Sequence, residues 1–71
     1  MRFTIEFFRI RRSDDAHALL RRVSEEATDL DAAEARAKSL FETLEMPQRP
    51  DGLRILSSEG IELFAWSPRA R

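Results

Sequence analysis

The sequence predicts a small α+β domain, and three features carry this prediction. Residues 2–12 are rich in Phe and Ile and alternate along the chain as a β-strand does. Residues 31–45 combine an N-terminal capping pattern with an amphipathic helical repeat. Residues 53–67 contain two short apolar runs on either side of Gly60, which is typical of a hairpin.

Length and composition narrow the class of protein. The 71 residues make at most one domain, which we place at 1–68 with a frayed tail at 69–71. A domain of this size buries only about 60% of the surface that its unfolded chain exposes. The chain has no cysteine, so self-association is the reinforcement that is easiest to supply.

The sequence contains no recognisable targeting or membrane segment. Met1 and Arg2 lead directly into the alternating strand, and no apolar run approaches the roughly 20 residues that cross a bilayer. We expect a soluble, cytoplasmic protein without a membrane partner. The formal net charge of −1 gives no general argument for nucleic acid binding.

The first strand is apolar on both of its faces. Phe3, Ile5 and Phe7 lie on one face, and Phe8 and Ile10 lie on the other. One amphipathic helix can cover only one of these faces. The second face therefore needs a different cover, and this need is the strongest functional clue in the sequence.

Residues 14–27 are compatible with two structures. Their apolar positions 16, 19, 20, 23 and 27 form a helical stripe that residues 13–15 would cap. As a strand, the same segment alternates and would return from the first strand through a turn at 13–15. The pattern alone leaves both structures open, and a helix here would close the second face within one chain.

The following helix is predicted from its ends and its repeat. Asp31 is the predicted N-cap, and Glu34 completes a capping box three residues later. Pro47 lacks an amide hydrogen, so the helix should end near Glu45 or Met46. The predicted core stripe consists of Ala33, Ala37, Leu40, Phe41 and Leu44.

The last predicted element is a hairpin, with Gly60 at a position that needs a positive φ angle. Pro68 ends its second strand. The residues expected on the helix side are Leu53, Ile55, Ile61, Leu63 and Ala65. The residues expected on the other side are Leu56, Glu62, Phe64 and Trp66.

Four segments in this order resemble a group of small uncharacterised proteins from rhizobia and related alphaproteobacteria. They are the aromatic strand "RFTIEFFRI", the turn "SDD", the "DLDAA" helix entry and the hairpin "LRILSSEGIEL". The resemblance implies a four-stranded, mainly antiparallel sheet in β-β-α-β-β order with one helix on one face. The alternative order is β-α-α-β-β. The resemblance brings no activity, cofactor or catalytic residue.

The candidate residues for catalysis or metal binding have simpler structural explanations. His17 is the only histidine, and no serine lies in a nucleophile-elbow pattern. Asp14 with Asp15, and Asp29 with Asp31, could meet a divalent cation, but a turn and a helix cap account for them. We therefore predict a protein that is not an enzyme and that has no cofactor, catalytic residue or metal site.

The second sheet face gives the functional prediction. Phe8, Ile10, Leu56, Phe64 and Trp66 would form an apolar patch on the side that the helix leaves open. Monomers rarely expose apolar patches larger than a few hundred Å². We therefore predict a binding or structural module that forms a homodimer, or binds another protein, through this patch.

Nucleic acid binding is the alternative prediction. Arg9, Arg11, Arg12 and Arg21 could form a basic patch on the first two strands. The slightly acidic chain weighs against this alternative, because nucleic-acid-binding modules are usually strongly basic.

Overall fold

A computed structural model shows an α+β fold in β-β-α-β-β order, as the sequence predicts. The structure describes residues 1–11, 13–14, 16–43 and 49–68. The elements are β1 (Arg2–Ile10), β2 (His17–Glu26), α1 (Leu30–Thr43), β3 (Gly52–Leu56) and β4 (Glu62–Trp66). One sheet contains all four strands in the order β2-β1-β3-β4, and neighbouring strands are antiparallel. The predicted tail 69–71 lies outside the described residues.

The segment that was compatible with two structures is a strand. β2 pairs with β1 from Arg2 opposite Glu26 to Ile10 opposite His17. The register shifts between Phe7 and Phe8, so that β2 carries one extra residue in a β-bulge. Pairing as a strand gives both faces of β1 a neighbour on β2, which a helix could not do because it would pack on one face only.

The core lies between α1 and one face of the sheet. Its buried members are Phe3, Ile5 and Phe7 of β1, Ala33, Ala37 and Phe41 of α1, and Leu53 and Ile55 of β3. The two alanines let the helix backbone approach the sheet closely, because they carry only a methyl group. Each fully buried Phe or Ile contributes about 1.5–3 kcal/mol of transfer free energy.

The N-cap of the helix lies two residues earlier than predicted. Asp29, not Asp31, is the N-cap: its Oδ1 accepts the Ala32 N–H at 2.9 Å, and its carbonyl accepts the Ala33 N–H at 3.1 Å. Asp31 instead lies in the first turn, where its negative charge interacts favourably with the positive end of the helix dipole. The predicted C-terminal features, from Leu44 to Pro47, lie outside the described residues.

The C-terminal hairpin confirms the role of Gly60 but corrects the predicted faces of β4. Gly60 has a φ of 85°, and its N–H donates to the Ser57 carbonyl in the connecting turn. Ile55 lies opposite Phe64, whereas Leu56 lies opposite Glu62, so Leu63 has no partner on β3. This bulge reverses the alternation that the sequence pattern predicts for β4.

As a result, Phe64 and Trp66 lie on the helix side, where both pack against the core. Trp66 meets Phe41 edge to face with ring centroids 5.0 Å apart, and the Lys38 ammonium lies 5.3 Å from the Trp66 ring centre. The prediction that these two aromatic residues lie on the open side was therefore wrong. Ile61, Leu63 and Ala65, which were expected on the helix side, are exposed.

Candidate functional site

The candidate functional site is the sheet face opposite α1, which we call the open face. Since Phe3, Ile5 and Phe7 point toward the helix, the alternate residues of β1 point away from it. Residues directly opposite each other on paired strands share a face. The open face therefore consists of Thr4, Glu6, Phe8 and Ile10, with His17, Leu19, Arg22 and Ser24 on β2, Arg54 and Leu56 on β3, and Glu62 and Ala65 on β4.

A buried carboxylate lies at the centre of the open face. Glu6 of β1 lies between Arg22 of β2 and Arg54 of β3. The Arg22 Nε donates to Glu6 Oε2 at 2.9 Å, and the Arg54 Nε donates to Glu6 Oε1 at 2.6 Å. The Glu6 side chain is only 5% exposed, whereas those of Arg22 and Arg54 are 61% and 40% exposed. We call these three residues the Arg–Glu–Arg network.

The two arginines keep the buried carboxylate charged. Burial alone would raise the pKa of Glu6, but hydrogen bonds from Arg22 and Arg54, and their positive charges, lower it below its ordinary value. A guanidinium carries five N–H donors, so both arginines retain donors for a further acceptor. Arg54 also lies near Glu62, with 3.8 Å between its Nη1 and the Glu62 Oε1.

An aromatic stack lies next to this network. The rings of Phe8 and His17 are parallel within 4°, and their centroids are 4.2 Å apart. Phe8 is buried, whereas His17 is exposed and covers it. Gly52 lies opposite Phe8 on β3, and a Cβ atom at this position would be 2.9 Å from Phe8 Cζ. The histidine therefore acts here as a flat cover for a buried ring.

The five residues of the predicted apolar patch do not come together. Phe8, Ile10 and Leu56 belong to the open face, but Phe8 is buried and the other two are half-buried. Phe64 and Trp66 lie on the opposite face. The predicted continuous apolar surface is therefore replaced by the Arg–Glu–Arg network. Sequence reasoning missed this network, although a charged residue inside an aromatic strand, at Glu6, was a visible signal for buried ion pairing.

The predicted basic patch is only partly described. Arg9 and Arg11 lie at the end of the β1–β2 hairpin, and Arg21 lies opposite Phe7 on the helix side of β2. Two of these arginines lie near acids: Arg9 Nε is 4.0 Å from an Asp51 oxygen, and Arg11 Nε is 3.6 Å from an Asp14 oxygen. Arg12 lies outside the described residues.

The described residues offer no cluster of three or more His, Asp or Glu side chains that could hold a metal ion. Within the same residues, no helix has the length and apolar character needed to span a membrane. Fold and site together define a small α+β protein with a charged open sheet face. In comparisons with known proteins, no family model, no curated protein and no solved structure matches the chain.

Proposed function

We propose that this protein is a small non-enzymatic binding module that associates with a second copy of itself through the open face. The Arg–Glu–Arg network is the observation that carries the proposal. Its buried carboxylate fixes two partly exposed guanidiniums in place. Less side-chain entropy is lost when such arginines meet a partner, because they are already ordered. Arginine is also among the residues that protein interfaces favour.

The charges of the open face are suited to a second copy of the same face. Arg22 lies on the edge strand β2, and Glu62 lies on the opposite edge strand β4. A two-fold axis parallel to the strands would place β2 of one copy over β4 of the other. Each Arg22 would then lie within side-chain reach of Glu62 on the second copy. Such pairing of opposite charges supports association of like with like.

Apolar groups surround the charged centre and supply area to bury. Leu19 is 50% exposed on this face, and Ile10 and Leu56 are half-buried there. A stable interface buries about 800 Å² on each partner. The molecule extends 37 and 24 Å along its two longest axes, which leaves room for a contact of that size.

Sedimentation analysis of a matched pair of variants tests the proposal. Ala65→Arg adds a positive charge to the open face, in the row of residues that Arg22 of the second copy would meet, and Ala35→Arg makes the same change at an exposed position of α1. We expect wild type and Ala35→Arg to exceed the 8.3 kDa monomer mass over about 1–100 µM, and Ala65→Arg to move toward it because like charges then meet across the contact. A wild-type protein that stays at the monomer mass throughout this range would overturn the proposal.

Nucleic acid binding remains a second candidate because of the Phe8–His17 stack. The exposed His17 ring could carry an unpaired base, and Arg9 and Arg11 lie at the same end of the sheet. This candidate predicts retention on single-stranded DNA or RNA that weakens steeply as salt increases and is reduced by His17→Ala. Absence of retention at low salt would dismiss it.

A further inference from the structure

The outer edge of β2 is free to accept another strand. β2 is the first strand of the sheet order, and among the described residues it pairs only with β1. Met1 and Ala27 exchange two backbone hydrogen bonds at 2.8 and 2.9 Å, which fixes the alternation along this pair of strands. Every second residue of β2 therefore directs its backbone N–H and C=O groups away from β1. These residues are Arg22, Ser24 and Glu26. These groups are the ones that another strand would meet.

The side chains along this edge carry charges in a self-complementary order. The segment "RRVSEE", residues 21–26, has two arginines at one end and two glutamates at the other. When a strand pairs antiparallel with a copy of itself, its start lies opposite its end. With Val23 on the two-fold axis, Arg21 of each copy lies opposite Glu25 of the other copy. Arg22 lies opposite Ser24 and diagonal to Glu26.

This register agrees with the backbone and with the faces of the strand. It places Arg22 opposite Ser24, and both have outward-pointing peptide groups that can exchange hydrogen bonds. It also places helix-side residues opposite helix-side residues, since Arg21, Val23 and Glu25 share the side of β2 that faces α1. A shift by one position would break both matches.

The side chains that would meet are available. Arg21 is exposed, and none of the ion pairs between described residues involves it. Glu25 is 21% exposed and binds the Arg36 Nε through its Oε1 at 2.7 Å, which leaves its second oxygen for another donor. Val23 is half-buried and would meet its own copy across the axis.

We propose that β2 pairs antiparallel with β2 of a second copy, with Val23 on the two-fold axis, to form a continuous eight-stranded sheet. Both open faces then lie on one side of this sheet, and both helices lie on the other. The contact uses the strand edge and does not rest on the face-to-face association proposed above. The two contacts use different surfaces, so one chain that makes both builds an assembly larger than a dimer.

Disulfide trapping tests the axis directly, because the chain has no cysteine of its own. In the proposed register the two Val23 residues form a non-hydrogen-bonded pair with Cα atoms about 4.5 Å apart, within the range of a disulfide. The two Ser24 residues would be roughly 7–8 Å apart, beyond that range. Under mild oxidation we expect Val23→Cys to form a covalent dimer and Ser24→Cys to remain reduced.

The control variant Ala32→Cys carries an exposed cysteine on the helix. It measures how much covalent dimer forms by random collision of two copies. If Val23→Cys forms no more covalent dimer than Ala32→Cys, the proposal is overturned. If Ser24→Cys forms the dimer instead, the proposed register is overturned. Val23→Cys combined with Ala65→Arg separates the two contacts, since edge pairing should survive when like charges block the open face.

A charge exchange tests the pairing of Arg21 with Glu25. Arg21→Glu and Glu25→Arg each place like charges opposite each other, and the double variant restores opposite charges. We expect each single variant to weaken dimerisation by roughly tenfold or more and the double variant to recover most of it. Arg36→Ala is the control for losing the Arg36–Glu25 ion pair alone. Single variants that associate like wild type, or a double variant as weak as the single ones, would overturn the proposal.

Discussion

Glu6 and Arg54 lie 48 positions apart in the sequence, and a hydrogen bond of 2.6 Å joins them across β1 and β3. On its other side, the same carboxylate accepts a hydrogen bond of 2.9 Å from the Arg22 Nε at its Oε2, which also lies 2.8 Å from the Arg22 Nη2. One side chain therefore connects three neighbouring strands. Because a slip of one residue would move Glu6 to the apolar face, the network also supports the register of the sheet.

Glu6→Gln should destabilise the protein by about 2 kcal/mol. Glutamine keeps the shape of the side chain, but it has no charge to offset two guanidiniums, and its amide group would face one of them donor to donor. Urea unfolding followed by Trp66 fluorescence measures this loss. Glu59→Gln removes a charge from an exposed turn and should change stability by less than about 0.5 kcal/mol. Equal effects of the two changes would contradict the assigned role of Glu6.

The buried Glu6 carboxylate also predicts how the stability of the protein depends on pH. The pKa of Glu6 in the folded protein lies below its ordinary value of 4.5. Its contribution is therefore complete above the unfolded pKa and is lost as the pH falls from about 4.5 through the lower folded pKa. Wild type should lose stability more steeply than Glu6→Gln over this interval. Urea midpoints at a series of pH values measure the difference, and parallel curves would rule out the linkage.

Sequence reasoning reached the fold but not the composition of the open face. The alternating apolar residues of β1 and the position of Gly60 are local signals, and the structure confirms both elements. The bulges beside Phe7 and at Leu63 depend on strand pairing, which no local pattern specifies. Each bulge shifts the alternation of its strand by one residue. The bulge at Leu63 therefore places Phe64 opposite Ile55, on the helix side.

The charged network was hidden for a similar reason. Glu6, Arg22 and Arg54 come from three strands, and their meeting depends on two strand registers at once. The strand at residues 17–26 was itself undecided from the pattern, because its apolar positions also suited a helix. A long-range ion pair of this kind becomes visible only when the pairing of the strands is known.

Asp29→Ala should destabilise the protein by about 1 kcal/mol, because it removes the acceptor for the Ala32 N–H. Asp31→Ala should cost only a few tenths of a kcal/mol, since it removes a charge from the first turn and no capping bond. Thermal or urea unfolding of both variants compares the two positions. If Asp31→Ala lowered the stability more than Asp29→Ala, the N-cap would be Asp31, as the capping-box pattern predicted, and not Asp29.

The two glycines should respond differently to alanine. A Cβ at Gly52 would lie 2.6 Å from the Trp66 carbonyl oxygen and 2.9 Å from Phe8 Cζ, so Gly52→Ala should cost about 2 kcal/mol or more. Gly60 has open space around it but a φ of +85°, so Gly60→Ala should cost only about 1–2 kcal/mol of backbone strain. Gly60→Asn should recover part of that loss, because asparagine tolerates positive φ. No such recovery is expected for Gly52→Asn, whose side chain is larger still.

Trp66 should report unfolding but not self-association. It packs against Phe41 and under Lys38 on the helix side, away from both proposed contacts between copies. Dilution from about 100 to 1 µM should therefore change the sedimentation behaviour without shifting Trp66 emission. A single tryptophan on the open face, in Trp66→Phe combined with Ala65→Trp, should instead shift to longer wavelength as the copies separate and its ring becomes solvated. A shift of the native Trp66 emission on dilution would mean that the helix side, and not the open face, meets the second copy.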